Sequence, residues 1–381
     1  MKNIGELYNL INETITSELT SSIWEGFSPC KFYLYDGTIC YGLKDGEIKE
    51  FKNDTNFMGN TAIEYKNDIV AIWDIRTWKE HAQNEEKIAC IAHEMFHAHQ
   101  HNNNWNNLLN EFKGFTYPHS SESLYFWTEE AEALYKATTT LNFKKSMEAF
   151  KKVIVYRELR KNYLKDYIDY DNNIESFEGT ATYAEFKIKT ILKHNNMEEQ
   201  LEKLKYLMNP TEAMKSFRRA CYFTGSLLCI ILDKIENEKI NREFSWKKDW
   251  VHSRKTLYEY TQSLFLKFVD EKSNNNEVKI DENKLARINK IIEEDLGLKK
   301  KAIDNFHVEK EGMKKCIIKN NIKLLGADPM NIICLNDKCL HTRFISVTIH
   351  NEDKILKGPV LAIIGENIFD IKEIQFWKKE N

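Results

Sequence analysis

The chain has 381 residues, 42% of them hydrophobic, and 55 basic residues against 58 acidic ones give a net charge of −3. That length supports a sizeable core and two or three structural units. The charge balance removes any electrostatic reason to expect a nucleic-acid or membrane-surface partner.

The first residues, MKNIGELYNLINETITSEL, carry acids and polar groups throughout and lack the apolar stretch of a signal peptide. No run approaches the ~20 apolar residues of a membrane span. The eight cysteines are scattered, mostly in apolar runs, which reads as free thiols and a cytoplasmic location. Cys334 and Cys339 with His341 form a loose alternative, a metal site that lacks a fourth ligand.

Residues 3–20 place Ile4, Leu7, Leu10, Ile11, Ile15 and Leu19 at helical spacing, which predicts one amphipathic helix. Aromatic and β-branched residues then flank Asp36-Gly37, and NTAIEY and IVAIWDI flank residues 66–68; both patterns read as hairpins. Residues 1–83 are therefore expected to form an N-terminal helix and an antiparallel sheet. From 84 to 269 apolar faces recur at helical period, as in EEKIACIAHEMFHAHQH and IESFEGTATYAEFKIKTIL, so this span is expected to be a helical catalytic core. Residues 270–283 are polar and Asn-rich, a linker or loop. Residues 284–381 read as a short helix near 284–296, then a C-terminal β unit with strands at ISVTIH, GPVLAII and IKEIQFW. The fold class is α+β.

The chemistry-bearing motif is His93-Glu94-Met95-Phe96-His97, an HExxH within a helical apolar context. Four residues are ~400° of helix, so both imidazoles leave one face, one turn apart, a spacing that suits two ligands of one tetrahedral ion. Glu94 is then placed to take a proton from a water that the ion polarises. His99 and His101 extend the run and read as surface or supporting residues. A catalytic zinc takes a third protein ligand. Two acidic helices offer one: TEEAEAL, with Glu129, Glu130 and Glu132, and ESFEGTATYAE, with Glu175, Glu178 and Glu185. Gly179 beside Glu178 would let the metal helix approach closely.

EGTATYAE resembles the EGFAxYxE segment of the gluzincin aminopeptidases, the aminopeptidase N and leukotriene hydrolase group, in which the Glu before Gly is the third zinc ligand. Tyr222-Phe223-Thr224-Gly225 is similar to their YxKG segment, whose tyrosine stabilises the transition state. The resemblance implies zinc bound by His93, His97 and Glu178, with Tyr222 on the oxyanion. The chain departs from that group in three places. The separation from His97 to Glu178 is 178 − 97 = 81 positions, Thr224 stands where the family has Lys, and no segment matches the GxMEN run that holds a free amino group. The whole layout is also similar to a little-characterised group of bacterial metallopeptidases. Its HEMFHAHQ, EEAEAL, EGTATY, YFTG and Asp328-Pro329-Met330-Asn331 resemble that group's HExFHxxQ, acidic LEWxAL, EGxAxY, YxTG and DPMN segments. This likeness implies a zincin-like fold and a peptidase of open substrate.

Within this layout Glu130 or Glu132 is expected to orient a histidine through its second ring nitrogen. One of Glu129, Glu130 and Glu132 is the rival third ligand. Tyr183 and Arg218 are further candidates to support the ligands or meet the substrate. NTAIEY or IVAIWDI is the candidate edge strand for an extended peptide. The leading expectation is a metallopeptidase with one Zn2+, Glu94 as general base and a peptide or protein as substrate. The alternatives are a non-proteolytic binding module on the same scaffold and a zinc hydrolase of another amide.

Overall fold

The computed structural model describes residues 4–54, 56–105, 111–194, 197–239, 244–268, 278–309, 311–365 and 369–379. The chain is mixed α+β, with one sheet near each end of the sequence and helices between. No helix among the described residues is long and apolar enough to cross a membrane.

The expected first helix is two: α1 (Ile4–Thr14) and α2 (Ser17–Ile23). Thr16 adopts an extended backbone between them and accepts from the Leu19 amide, capping α2. Five strands follow: β1 (Phe32–Tyr35), β2 (Ile39–Lys44), β3 (Glu47–Lys52), β4 (Thr61–Tyr65) and β5 (Asp68–Asp74). The turns match the sequence signals. Asp36 accepts from the Thr38 and Ile39 amides, and Lys66 and Asn67 both take positive φ, as a tight two-residue hairpin requires. The sheet is mixed rather than antiparallel. Its order is β3-β2-β1-β5-β4, and β1 and β5 run parallel where the two hairpins join. This places β4 at an edge and β5 in the interior.

The helical region comprises α3 (Asn84–Asn102), α4 (Ser121–Thr139), α5 (Phe143–Leu164), α6 (Ile168–Lys193), α7 (Met197–Leu204), α8 (Pro210–Lys215), α9 (Phe217–Lys239), α10 (Trp246–Ser253) and α11 (Leu257–Phe268). One hydrophobic core runs from Tyr8 and Ile11 through Phe32, Leu34 and Ala71 of the sheet into these helices. Helix α3 lies between the sheet and α6, which explains why its polar residues are buried too.

Helices α6 and α9 meet backbone to backbone at two glycines. A Cβ on Gly179 would lie 2.5 Å from Gly225 Cα, and one on Gly225 would lie 2.4 Å from the Glu175 carbonyl oxygen. Gly179 thus serves the approach of α9, not that of α3 as expected from its place beside Glu178.

Under this crossing lies a buried ionic network spanning four helices. Arg157 donates to Glu130 at 2.6 Å, to both oxygens of Glu175 at 2.8 Å, and to Asn172 at 2.6 Å. Arg160 bridges Glu130 at 3.1 Å and also holds Asp171, whose carboxylate accepts from Tyr117 at 2.9 Å. Thr224 donates to Glu175 at 2.7 Å. All five charged side chains are buried. Two guanidiniums face three carboxyls, and burial pushes Asp171 up to about 7 against the pull of Arg160 and Arg157.

Of the expected 270–283 linker, 270–277 lie outside the described residues; Asp281 caps the next helix, accepting from the Asn283 and Lys284 amides. That helix, α12 (Glu282–Phe306), is longer than the short one expected. Ile303 and Phe306 pack on Leu340 and Leu361, and this packing carries it past Gly297. Strands β6 (Met313–Ala327), β7 (Ile332–Leu335), β8 (Lys338–His341), β9 (Phe344–Ile349), β10 (Glu352–Lys357), β11 (Val360–Ile364) and β12 (Asp370–Lys379) form a second sheet. Its order is β10-β9-β6-β12-β11-β8-β7, every pair antiparallel. The β7–β8 register sets Cys334 opposite Cys339, and the two form a disulfide. They are therefore neither free thiols nor partners of His341 in a metal site; the other six cysteines are free.

His341 is 2% exposed, its Nδ1 has no hydrogen-bond partner, and burial pushes its pKa down to about 4. Neutral in the fold and basic in the unfolded chain, it contributes stability that is present above pH ~6.5 and lost as pH falls towards 4. Its share of that loss between pH 7 and pH 5 is about 2 kcal/mol. In urea titrations at the two pH values, His341→Leu should lose less stability on acidification than wild type. Parallel losses would rule out this role.

Candidate metal centre

Helix α3 is fixed at its start by Glu86, which accepts from the Gln83 amide at 3.3 Å and from Lys193 of α6 at 3.1 Å. Its apolar residues Ile88, Ile91, Ala92, Met95 and Phe96 are buried, and they carry His93, Glu94 and His97 into the interior facing α6. There the 81-residue separation closes. His93 Nε2 and His97 Nε2 are 3.0 Å apart, and Glu178 Oε2 lies 3.1 Å from the second and 3.5 Å from the first. Tetrahedral N and O ligands at 2.0–2.1 Å from zinc stand ~3.3–3.4 Å from one another. Among the described residues, these three are the buried side chains whose ligand atoms converge on one point.

The hydrogen bonds behind the ligands fix which ring nitrogens face the gap. Gln100 donates through its amide nitrogen to the Phe177 carbonyl at 2.7 Å and to Thr180 Oγ1 at 2.9 Å. Its oxygen, 2.6 Å from His97 Nδ1, must therefore accept, so Nδ1 carries the hydrogen and Nε2 a lone pair. His93 Nδ1 lies 3.2 Å from Glu185 Oε2, an ion-pair contact without hydrogen-bond geometry. Arg218 Nη2 donates at 2.5 Å to Glu178 Oε1, the oxygen turned away from the histidines. Three buried potential ligand atoms thus face one gap, an arrangement that could hold a cation between them.

The electrostatics agree. Burial would lower the His93 pKa, but Glu178 and Glu185 outweigh it and raise it to about 10. Burial would raise that of Glu178, but His97 and Arg218 hold it well below the usual carboxylate range. Glu94, one residue beyond His93, is buried, and burial raises its pKa although both histidines oppose the shift. Its Oε2 has no hydrogen-bond partner.

These residues floor a cavity of about 710 Å³. One wall is the lead into edge strand β4, from Met58 to Thr61, so of the two candidate strands NTAIEY borders the cavity, whereas β5 is paired on both sides. Tyr222 and Phe177 line it as well; the Tyr222 ring lies nearly parallel to His93 at 6.3 Å, and Phe177 stacks on His97 at 4.7 Å. The opposite wall comes from the C-terminal unit: residues 326–331, Arg343 and Phe344.

Several expectations are corrected. Glu130 does not orient a histidine; it is spent on Arg157 and Arg160. Glu129 and Glu132 pair with Lys284 of α12, so neither they nor Glu130 is the third ligand. Tyr183 is buried away from the cavity, where its hydroxyl donates to Asp233 and its ring meets Trp24 and Trp246. Arg218 does reach the site, held by Glu178 and Tyr222. Thr224 points into the ionic network. His99 packs among Phe27, Phe96 and Trp105, while His101 lines the cavity. Gln100, which holds His97, went unassigned, and Glu185, offered as a possible third ligand, instead contacts His93 Nδ1. Their spacing carried the signal, three residues after His97 and seven after Glu178, on the faces their partners occupy.

No protein-family model, curated protein or solved structure matches the chain.

Proposed function

We propose that this protein is a zinc-dependent peptidase of the gluzincin type on a zincin-like scaffold, with His93, His97 and Glu178 as ligands of one ion. The observation that carries the reading is the convergence of three oriented donor atoms beside the unpartnered carboxylate of Glu94, at the floor of an open cavity. Two imidazoles and a carboxylate with one position open are a donor set that suits catalytic zinc. When bound, the ion lowers the pKa of water towards 7 and polarises a substrate carbonyl.

The chain's own residues supply the rest. Glu94, with its raised pKa, takes a proton at Oε2 and returns it to the leaving amine. Arg218 Nε donates to the Tyr222 hydroxyl oxygen at 3.1 Å and so helps to hold that phenol at the cavity, where it would stabilise an oxyanion. The same guanidinium holds Glu178 Oε1 and so keeps Oε2 on the histidine side. Edge strand β4 offers unpaired backbone groups to an extended peptide.

The test is incubation of zinc-loaded protein with a complex peptide mixture, read by mass spectrometry. New termini should appear, vanish with chelator and return with added zinc. A peptide mixture left intact under both conditions would sink the proposal.

A further inference from the structure

The cavity wall facing the metal centre is built by the turn Asp328–Asn331, and the turn is rigidly held. Asp328 accepts from the Met330 amide at 3.0 Å, from Asn331 Nδ2 at 2.9 Å and from Arg343 Nη1 at 3.2 Å. The Asn331 carbonyl accepts from both the amide and the hydroxyl of Thr342, at 2.9 and 3.1 Å. Arg343 also reaches Asp74 at the end of β5, at 3.4 Å, which ties the turn to the N-terminal sheet across the cavity. Beside the polar Asp328, Asn331 and Arg343, this frame presents Pro329 and Met330 to the cavity, joined by Phe344 from the start of β9.

Met58, Phe115 and Phe177 complete an apolar rim. Met58, Phe177, Met330 and Phe344 are not among the residues packed into any of the hydrophobic cores, although each is partly exposed. All four line the cavity. Of the charged side chains in the lining, Glu178 is paired with Arg218 and Asp328 with Arg343, while Glu94 lies on the floor beside His93 and His97. At the apolar rim a charged substrate side chain would lose water, whereas an apolar one would replace water on an apolar surface.

We propose that the C-terminal β unit is the substrate-recognition element of the cavity, and that the turn carrying Met330, with Phe344, selects peptides bearing a bulky apolar residue next to the scissile bond. This rests on the peptidase reading of the metal centre for the word scissile, but the recognition surface is testable by binding alone.

The experiment uses labelled peptides that differ at one position, Leu or Phe against Asp, Lys or Gly. Anisotropy on zinc-loaded Glu94→Gln protein measures binding, and turnover is followed on wild type. The Leu and Phe peptides should bind about 10- to 100-fold tighter than the Asp and Lys peptides. Met330→Asp should erase that preference at unchanged zinc content, Met330→Leu should keep it, and Phe344→Ser should weaken it from the neighbouring position. Equal affinity across the peptides, or a preference untouched in both Met330→Asp and Phe344→Ser, would overturn the inference. Cleavage by wild type without apolar preference would overturn it too while the peptidase reading stood. Selective binding with no cleavage would uphold the recognition surface and end the peptidase reading.

Discussion

Glu94→Gln should keep the metal and lose the chemistry. Glu94 Oε2 lies outside the group formed by His93, His97 and Glu178, so a neutral amide of the same shape removes no ligand. It does remove the one carboxylate at the cavity floor that has no partner of its own. General acid–base catalysis contributes about 10²- to 10⁴-fold, and a loss of that size in kcat is expected at unchanged zinc stoichiometry. Burial already disfavours the charged form of Glu94, so the amide should leave the unfolding midpoint unchanged or raised. Side-by-side measurement of zinc content, melting temperature and peptide turnover decides it. Normal turnover by Glu94→Gln would remove Glu94 from the mechanism.

Arg157→Met should be the most destabilising single change in the helical core. Its guanidinium satisfies Glu130, Glu175 and Asn172 and lies 4.2 Å from the centre of the Tyr258 ring. Removing it leaves Glu130 and Glu175 buried, with Arg160 as the one cation beside three carboxyls. Breaking a buried pair from one side costs about 3–5 kcal/mol, because the remaining charge cannot be solvated. Urea denaturation should show that loss, and Glu175→Gln in the same chain should recover part of it. The effect should reach the metal centre as well. Glu175 lies one helical turn before Glu178 and accepts from Thr224 of α9, so the network sets the seat of α6 against the helix that carries Arg218 and Tyr222. A variant with wild-type stability would show that the network adds nothing to the fold.

The sequence carried the metal helix and its two histidines because their relation is local: a 3.6-residue period fixes one face. Glu178 was readable through its neighbours Gly179 and Tyr183, yet the physical reasons lie elsewhere, since Gly179 serves α9 and Tyr183 serves Asp233. Choosing among the acids was harder. Glu130 and Glu185 are both helical glutamates, and only the packing of α6 rather than α4 on α3 decides which meets a histidine. The ionic network was invisible because Glu130, Arg157 and Glu175 sit on three helices, and no spacing rule links them. The parallel β1–β5 pairing escaped for the same reason: hairpin signals report neighbours in sequence and are silent on how two hairpins join. Strand β6, with its Lys- and Asn-rich run, shows little alternation to read.

The peptidase reading requires the gap between His93, His97 and Glu178 to be a seat for a divalent ion. Elemental analysis of the purified full-length protein, after equilibration with zinc and removal of the excess, tests it directly when wild type is compared with Glu178→Ala. Wild type should retain about one zinc per chain and Glu178→Ala far less, since a site reduced to two protein ligands binds weakly. A wild-type protein that retains no metal, or a Glu178→Ala protein that holds it undiminished, would contradict the assignment.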